Sequence, residues 1–401
     1  MKKITLLILF ACSVLSSCSN NKAVSYESAH DTEQESTVVS TTVTEAEAFT
    51  TETVKTTEKK RTQTTYGDEI TYDVYSDAIS ADELYNVEKI EMPDSIDGMK
   101  YNICDYNDGK IVLGLIKEQN ADTYVCDYGT YDYKSSSYEP LITDLSDAYC
   151  IASYKNYYFF IISENDTIES LKVYNSDTNQ LITVYNSMDE CSLKEYKLAF
   201  CDEKCYFTTY TSSERNNSRI YEYDMVTDKL IVYIENAMMP RTSGKNVFYA
   251  SYESGAKKCN KLVNKKSGDI FDIHNEDIMD YVCCGDRAYA IINGDISDIH
   301  DTYEIIKEIK PTSGDNILAS KEGFGEIFND MSSNEFCIGW YDITGIESEP
   351  CVYDVKNEVI AVFGNIPRCY YRTYLDDNAG LIFDEMNFHN THQLYLFEPK
   401  E

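Results

Sequence analysis

Short runs of β-branched and aromatic residues recur along most of the chain, and polar turn-forming residues separate them. One turn lies between Leu171–Tyr174 and Leu181–Tyr185, and another lies between Ile220–Tyr223 and Leu230–Ile234. Runs of this length and composition, bounded by Asp, Asn, Thr and Gly, are typical of strands joined by hairpin loops. The pattern therefore predicts an all-β body built from consecutive hairpins.

The residue that ends one strand and enters the turn recurs at an almost constant spacing. Successive spacings are 43, 49, 40, 46, 44 and 44 residues, and these anchors are Tyr131, Tyr174, Tyr223, Val263, Ile309, Tyr353 and Phe397. A period near 44 with four short strands per unit is typical of a β-propeller. The spacing predicts seven four-stranded blades. The unit between Tyr281 and Ser320 is the least regular, and another interpretation of it gives six or eight.

The turns share their chemistry. The preferred residue directly after the anchor is Asp or Asn, and it is present as Asp132, Asn175, Asp224, Asn264 and Asp354. Such side chains accept hydrogen bonds from backbone amides about two residues further on. The fifth position after the anchor is often Asn, Asp or Gly, as in Asn179, Asp228, Gly268 and Gly314, and these residues tolerate a left-handed backbone.

The last unit lacks residues for an outer strand after Phe397. An open sheet edge would expose unpaired backbone groups. We therefore expect a strand from the N-terminal part of the body to close the ring, with Val87–Met92 as the first choice and Ile70–Tyr75 as the second.

The unit Tyr223-Asp224-Met225-Val226-Thr227-Asp228-Lys229-Leu230 resembles those of TolB-like and WD-like bacterial propellers. The resemblance extends over most of residues 95–401. It implies the fold only, because propellers carry many unrelated functions.

The N-terminus has a targeting pattern. Met1-Lys2-Lys3 precedes an apolar run from Ile4 to Leu15, which is too short to span a bilayer as a helix and is typical of a signal peptide. The run ends in Leu15-Ser16-Ser17-Cys18, which resembles the lipobox of bacterial lipoproteins. The resemblance implies removal of residues 1–17, a lipid on Cys18, and attachment to the outer face of the bacterial cell membrane. An ordinary signal peptide with a chance cysteine is the alternative.

Residues 18–65 predict a disordered tether. Thirteen of the 34 residues between Thr32 and Thr65 are threonine, and this stretch contains one aromatic residue, Phe49. Such a segment cannot bury enough apolar surface to offset the entropy lost on ordering. Tethers of this kind resemble those of Gram-positive surface proteins. The folded domain then comprises residues 66–401.

Net charge bears on the partners of the chain, and cysteine placement bears on its disulfides. The formal net charge is −34, almost all of it after residue 65, and an anionic surface of this size repels nucleic-acid phosphates. Nucleic acid is therefore not an expected partner. Twelve cysteines follow Cys18, many inside strand-like runs, where cysteine behaves as a small buried hydrophobe. The sequence leaves undecided whether Cys201 forms a disulfide with Cys205 across a predicted turn, and whether the adjacent Cys283 and Cys284 form one.

Catalytic and metal-binding motifs are scarce. The sequence has no G-x-S-x-G, H-E-x-x-H, P-loop or dinucleotide fingerprint, so we predict no catalytic residues and no cofactor. Two segments contain candidate cation ligands, but we interpret both as polar loops and predict no metal site. They hold Asp384, Glu385, His389 and His392, and Gly294, Asp295, Asp298, His300 and Asp301.

Aromatic residues are the remaining lead. The chain has 35 tyrosines and one tryptophan, Trp340, and tyrosine suits both sugar stacking and protein interfaces. We predict a binding or scaffold module that presents a propeller surface to a peptide, a glycan or an envelope protein. Two alternatives stay open: a carboxylate-dependent enzyme acting on envelope glycans, and a sensory or accessory subunit of a membrane complex.

Overall fold

A computed structural model of the chain divides it into two units, Met1–Thr57 and Glu58–Glu401. The structure describes residues 63–66, 69–72 and 79–400, with gaps at 121–123, 166–167, 188–190, 194–197, 212–217, 253–258, 273–276, 285–286, 294–302, 310–315, 323, 329–336, 343–350, 355, 358, 365, 367–370, 376–378 and 385–392. The predicted signal peptide, Cys18 and nearly all of the predicted tether lie outside the described residues.

The described strands form a hairpin and a series of larger antiparallel sheets, numbered I to VII by chain order. The hairpin pairs β1 (Gln63–Tyr66) with β2 (Glu69–Tyr72). Sheet I contains β5 (Tyr101–Asn107), β6 (Lys110–Gln119), β7 (Tyr124–Asp132) and β8 (Ser137–Ser146). Sheet II contains β9 (Ala148–Tyr154), β10 (Tyr157–Asn165), β11 (Ile168–Asn175) and β12 (Gln180–Asn186).

The next three sheets follow the same order. Sheet III contains β13 (Cys191–Leu193), β14 (Ala199–Cys201), β15 (Lys204–Thr211), β16 (Arg219–Asp224) and β17 (Lys229–Glu235). Sheet IV contains β18 (Ala237–Ser243), β19 (Asn246–Tyr252), β20 (Cys259–Asn264) and β21 (Ile270–Asp272). Sheet V contains β22 (Asp277–Cys284), β23 (Arg287–Asn293), β24 (Tyr303–Ile309) and β25 (Asn316–Glu322).

The last two sheets each take one strand from the N-terminal part of the body. Sheet VI contains β26 (Phe324–Phe328), β27 (Cys337–Asp342), β28 (Cys351–Asp354) and β29 (Val359–Val362), with β3 (Ile79–Ser80) parallel to β29. Sheet VII contains β30 (Tyr371–Leu375), β31 (Gly380–Asp384) and β32 (Gln393–Pro399), with β4 (Tyr85–Glu91) antiparallel to β32. A single 3₁₀ turn, Ala81–Glu83, links β3 to β4.

Buried side chains join neighbouring sheets in chain order. Tyr128 of sheet I meets Phe160 of sheet II, and Phe159 packs on Phe200 of sheet III. Further shared clusters join sheet III to IV and sheet IV to V, and β22 lies alongside β26. The last join returns to the start, because Leu381 and Leu394 of sheet VII share a cluster with residues of sheet I. The described sheets therefore form a β-propeller, as the sequence predicted.

Ring closure follows the first choice made from the sequence. The β4 strand, which contains Val87–Glu91, pairs with β32 over seven positions from Gln393↔Glu91 to Pro399↔Tyr85. The second choice is wrong for the described part of Ile70–Tyr75, because Ile70 pairs with Thr65 in the separate hairpin β1–β2. β3, which pairs with β29 of sheet VI, precedes β4, so the N-terminal part of the body passes from sheet VI to sheet VII.

The prediction of seven four-stranded blades is not confirmed. Among the described strands, five sheets have four strands each, and sheets III and VI have five. In sheet III the first strand is divided, so that Cys191 pairs with Thr211 and Ala199 pairs with Tyr206 of the same strand β15. Sheet VI gains β3 as a parallel fifth strand.

The anchor residues are confirmed as belonging to the third strands. Tyr131, Tyr174, Tyr223, Val263, Ile309, Tyr353 and Phe397 all lie in the third strand of their sheet, at or near its end. Within the described residues, no helix is long and apolar enough to cross a membrane.

Candidate functional site

Strand direction gives the ring two distinct faces. Strands alternate in direction within each antiparallel sheet, so the turns after the first and third strands open on one face, here called the Asx face. The loops that join the second strand to the third, and one sheet to the next, open on the opposite face, here called the crossover face.

The Asx face is built from the predicted turns. Asp224 Oδ1 accepts hydrogen bonds from the amides of Val226 (3.1 Å) and Thr227 (2.8 Å), and the same two-amide pattern recurs at Asp132, Asn175 and Asn264. Asp228 completes this turn at φ 53°, and Tyr223 Oη donates to its Oδ1 at 2.9 Å. These backbone bonds lower the pKa of Asp224 because they stabilise the charged carboxylate. The carboxylates of Asp132 and Asp224 are therefore structural acceptors.

The crossover face carries a stacked aromatic pair where sheets I and II meet. Tyr124, the first residue of β7, stacks on Tyr149 of β9 with ring centroids 5.3 Å apart and planes 11° from parallel. Asn102 of β5 donates from Nδ2 to Tyr124 Oη at 2.7 Å. Tyr149 is 53% exposed although most tyrosines of the described sheets are buried or half-buried. Tyr124, Tyr149 and Asn102 together are called the tyrosine platform below.

A strained loop residue fixes the platform. Asp147 lies between β8 and β9 at φ 50°, a conformation that non-glycine residues rarely adopt. Its amide donates to Tyr124 O at 2.7 Å, and its Oδ1 accepts from the Tyr124 amide at 3.2 Å. Its own carbonyl accepts from the Ser163 amide at 3.0 Å. The loop that leads into Tyr149 is thus bonded to the backbone that carries Tyr124.

The layer beneath the platform is tightly packed. Tyr128 is buried and donates its hydroxyl to Ala148 O, the residue between Asp147 and Tyr149. Its ring lies so close to Gly114 that a Cβ there would approach Tyr128 Cε1 to 2.8 Å. Burial raises the pKa of Tyr124 far above its ordinary value, so its phenol stays protonated at any physiological pH. The platform is therefore an uncharged aromatic surface on a rigid support.

This arrangement suits binding better than catalysis. An exposed aromatic face with amide and hydroxyl groups at its edge can stack on a sugar ring or a flat side chain and bond to its polar rim. Among the described carboxyl groups, Asp132 and Asp224 have a pKa below its ordinary value, because turn hydrogen bonds stabilise the charged form. A general acid for glycoside cleavage needs a raised pKa instead.

The metal candidates taken from the sequence are not placed. Residues 294–301 and Glu385, His389 and His392 lie outside the described residues, and Asp384 ends β31. Trp340 lies in β27. Within the part of the chain that the structure describes, no group of three or more His, Cys, Asp and Glu could hold a metal ion.

Cys201 and Cys205, which the sequence left as a possible disulfide, are not bonded to each other in the structure. Both residues are free thiols, and they face opposite sides of sheet III. Cys201 belongs to the cluster shared with sheet IV, whereas Cys205 is fully buried in the cluster shared with sheet II. The hairpin pairs Cys201 with Lys204, so the alternation of side chains along the strands separates the two sulfurs. Cys283 is also free.

Exposed apolar side chains are few among the described residues. Ile231 and Val232 lie on β17, the outer strand of sheet III, and Val226 lies in the Asx turn before it, 71% exposed. Scattered exposed residues of this kind are common on soluble surfaces. They give a weaker indication of a binding surface than the ordered platform does.

Sequence reasoning did not find the platform. Its members come from three strands in two sheets, and nothing in their spacing separates them from the other tyrosines. Asp147 has a left-handed backbone and pairs with Tyr124, and neither property follows from the residues alone.

Comparison with known proteins supports the fold. The sequence matches no family model and no curated protein. The β-propeller domain of the Trilobed protease from Pyrococcus furiosus, described as having an open velcro topology, is similar at 10% identity, with 75% of this chain and 95% of that chain covered and a TM-score of 0.51.

Two further solved structures have similar scores. An oligogalacturonate lyase in complex with manganese shares 12% identity over 79% of this chain and 98% of that chain, with a TM-score of 0.50. An uncharacterized protein from Listeria monocytogenes EGD-e shares 9% identity over 73% of this chain and 94% of that chain, also with a TM-score of 0.50. Likeness at this identity supports the propeller fold and leaves the function to be argued from the chain itself.

Proposed function

We propose that this chain is a lipid-anchored extracytoplasmic binding module whose tyrosine platform binds a glycan. In this proposal residues 1–17 are removed, Cys18 carries the lipid, residues 18–65 are the tether, and sheets I–VII are seven blades of one ring. The observation that carries the binding proposal is the exposed ring of Tyr149, which stacks parallel to Tyr124. The hydroxyl of Tyr124 in turn accepts a hydrogen bond from Asn102.

Rigidity supports the assignment. A stacking surface gains affinity when its side chains need not be ordered on binding. Tyr149 enters from a loop that three backbone or side-chain hydrogen bonds hold in place, and its partner ring is half-buried. The exposed ring would therefore lose little conformational freedom when a sugar stacks on it.

Charge narrows the class of glycan. The chain has a formal net charge of −34, so a polyanionic sugar chain would be repelled at low ionic strength. Neutral or N-acetylated pyranoses are the better fit, because they offer an apolar ring face for Tyr149 and hydroxyl or amide groups for the polar rim.

The test is a binding measurement with the full chain in detergent, using neutral, N-acetylated and uronate oligosaccharides on an array and titration calorimetry for the best binder. Tyr149→Ala should weaken binding about tenfold, since an aromatic contact contributes about 0.5–1.5 kcal/mol and 1.4 kcal/mol corresponds to a factor of ten. Tyr149→Phe keeps the ring face and is the matched control, with affinity close to that of the wild type.

Three outcomes would contradict the proposal: equal binding by the wild type and Tyr149→Ala, binding to uronates alone, or binding to none of the sugars. A protein ligand bound through Ile231 and Val232, with Tyr149→Ala unaffected, would favour the protein-partner alternative.

A further inference from the structure

Two cysteines pack together where the first strands of sheets I and II run alongside each other. Cys104 lies on β5 and is half-buried, and Cys150 lies on β9 and is buried. Both belong to the packing between the two sheets. The Cys150 thiol donates to Ala152 O at 3.8 Å, and the Cys104 thiol donates to Asn102 O at 3.7 Å. The neighbouring Cys104 side chain and burial both raise the pKa of Cys150.

A β-bulge turns Cys104 toward sheet II. Along β5, Ile103 pairs with Leu113 and Asp105 pairs with Val112, so Cys104 is an extra residue without a partner in the ladder. In a regular strand, neighbouring side chains point to opposite faces. Here Cys104 and Asp105 both reach sheet II, because a bulge redirects the side chain next to it.

Hydrogen bonds also join β5 to β9 next to the two cysteines. Asp105 Oδ2 accepts from both the amide and the hydroxyl of Ser153, each at 2.6 Å. At the Asx-face ends of these strands, Asn107 Nδ2 donates to Lys155 O at 2.8 Å. These contacts fix β5 against β9 on the Asx-face side of the two cysteines, which pack in the same cluster.

We propose that Cys104 and Cys150 are a redox-active pair that closes a disulfide between the first two sheets. The oxidant is a disulfide compound of the low-molecular-weight or dithiol-oxidant class. The Cys104 thiolate attacks one sulfur of that compound, which releases its first thiol and leaves a mixed disulfide on Cys104. The Cys150 sulfur, after losing its proton, attacks Cys104 Sγ and releases the second thiol. The protein gives up two electrons and two protons, which the two released thiols take up.

The exposure of the two residues sets this order. Cys104 is the more accessible thiol and therefore reacts first with the oxidant from solution, whereas Cys150 is buried and reacts second. The same pair would explain why cysteines persist in a chain with an export signal: an oxidising compartment can close this bond without disturbing the other buried thiols.

The experiment treats the reduced full chain with oxidised glutathione at about pH 8, then quenches with acid, alkylates, digests without reductant and maps the peptides. The expected product is a cross-link between the Cys104 and Cys150 peptides. Cys201 and Cys205 are the matched control pair, closer in sequence but on opposite faces of sheet III, and both should be recovered alkylated. The melting temperature should rise by about 3–6 °C and return on reduction.

Cys150→Ser should abolish the rise and leave glutathione on Cys104. If this variant does not fold, the peptide map of the wild type decides alone. A cross-link from Cys104 to Cys126, whose side chain lies in the same cluster, would overturn the proposal. So would glutathione on Cys104 without any loss of free Cys150, or a Cys201–Cys205 cross-link.

Discussion

Tyr85 joins the strand that closes the ring to the sheet before it. It is the first residue of β4 in sheet VII and is 1% exposed, and its hydroxyl donates to Asp354 Oδ2 of sheet VI at 2.8 Å. Its ring packs on Phe363 and Phe397, with centroids 6.2 Å and 5.4 Å away. Replacing this side chain therefore tests whether the closing strand β4 stabilises the whole ring.

The hydroxyl and the ring of Tyr85 contribute separately to the free energy of unfolding. A hydrogen bond to a charged acceptor contributes about 1.5–3 kcal/mol, so Tyr85→Phe should lower the free energy of unfolding by that amount. With an unfolding entropy of about 2.1 cal/mol/K per residue, a body of this size should melt about 2–4 °C lower. Tyr85→Ala also removes the buried ring, and a large-to-small change of this kind costs about 3–5 kcal/mol.

The assay is thermal and urea unfolding of Tyr85→Phe, Asp354→Asn and the double variant. The Asn keeps an acceptor for the Asn357 amide, which now bonds to Asp354 Oδ1 at 2.7 Å. The double variant should be more stable than the sum of the two single losses predicts, by about 1 kcal/mol or more. Tyr149→Phe, whose ring is exposed, is the control and should stay within about 0.5 kcal/mol of the wild type. Strict additivity of the two changes would refute the coupling between sheets VI and VII.

Two other predictions concern a glycine and the lipid proposed on Cys18. A Cβ at Gly129 would lie 2.4 Å from Glu139 O and 2.6 Å from Tyr138 Cζ, so Gly129→Ala should destabilise the protein by about 1–3 kcal/mol in urea unfolding. Gly364→Ala has nothing within 4 Å of its Cβ and should be neutral; equal losses in both variants would contradict the packing argument. Radioactive fatty acid fed to producing cells should label the wild type and spare Cys18→Ala, and label on both would remove the lipid-anchor proposal.

Local turn chemistry made much of the fold predictable. The Asp or Asn that follows five of the anchors accepts amide hydrogen bonds, as at Asp132 and Asn264, and the fifth position is left-handed at Asn179, Asp228 and Gly268. Both properties follow from side chains a few residues apart in sequence. The closing strand was also predictable, because an unpaired edge in the last unit required a β-strand and the N-terminal segment Val87–Met92 could supply it.

Features that depend on distant contacts were not predictable. The division of the first strand of sheet III and the parallel strand β3 arise from pairings that no local signal specifies. The tyrosine platform depends on the left-handed Asp147 and on a stack between residues of different sheets. The Cys104–Cys150 contact depends on a bulge in β5 that has no sequence mark.

The pairing of β4 with β32 also affects the order in which the sheets can form during synthesis. β4 is among the first parts of the body to leave the ribosome, yet its partner β32 is made some three hundred residues later, at Gln393–Pro399. Until then β4 has no native neighbour in its sheet, and the nascent body carries an unpaired edge that invites wrong pairing. Completion of this sheet therefore waits until β32 has been made, and a chain halted before β32 would expose β4 to chaperones and to other copies.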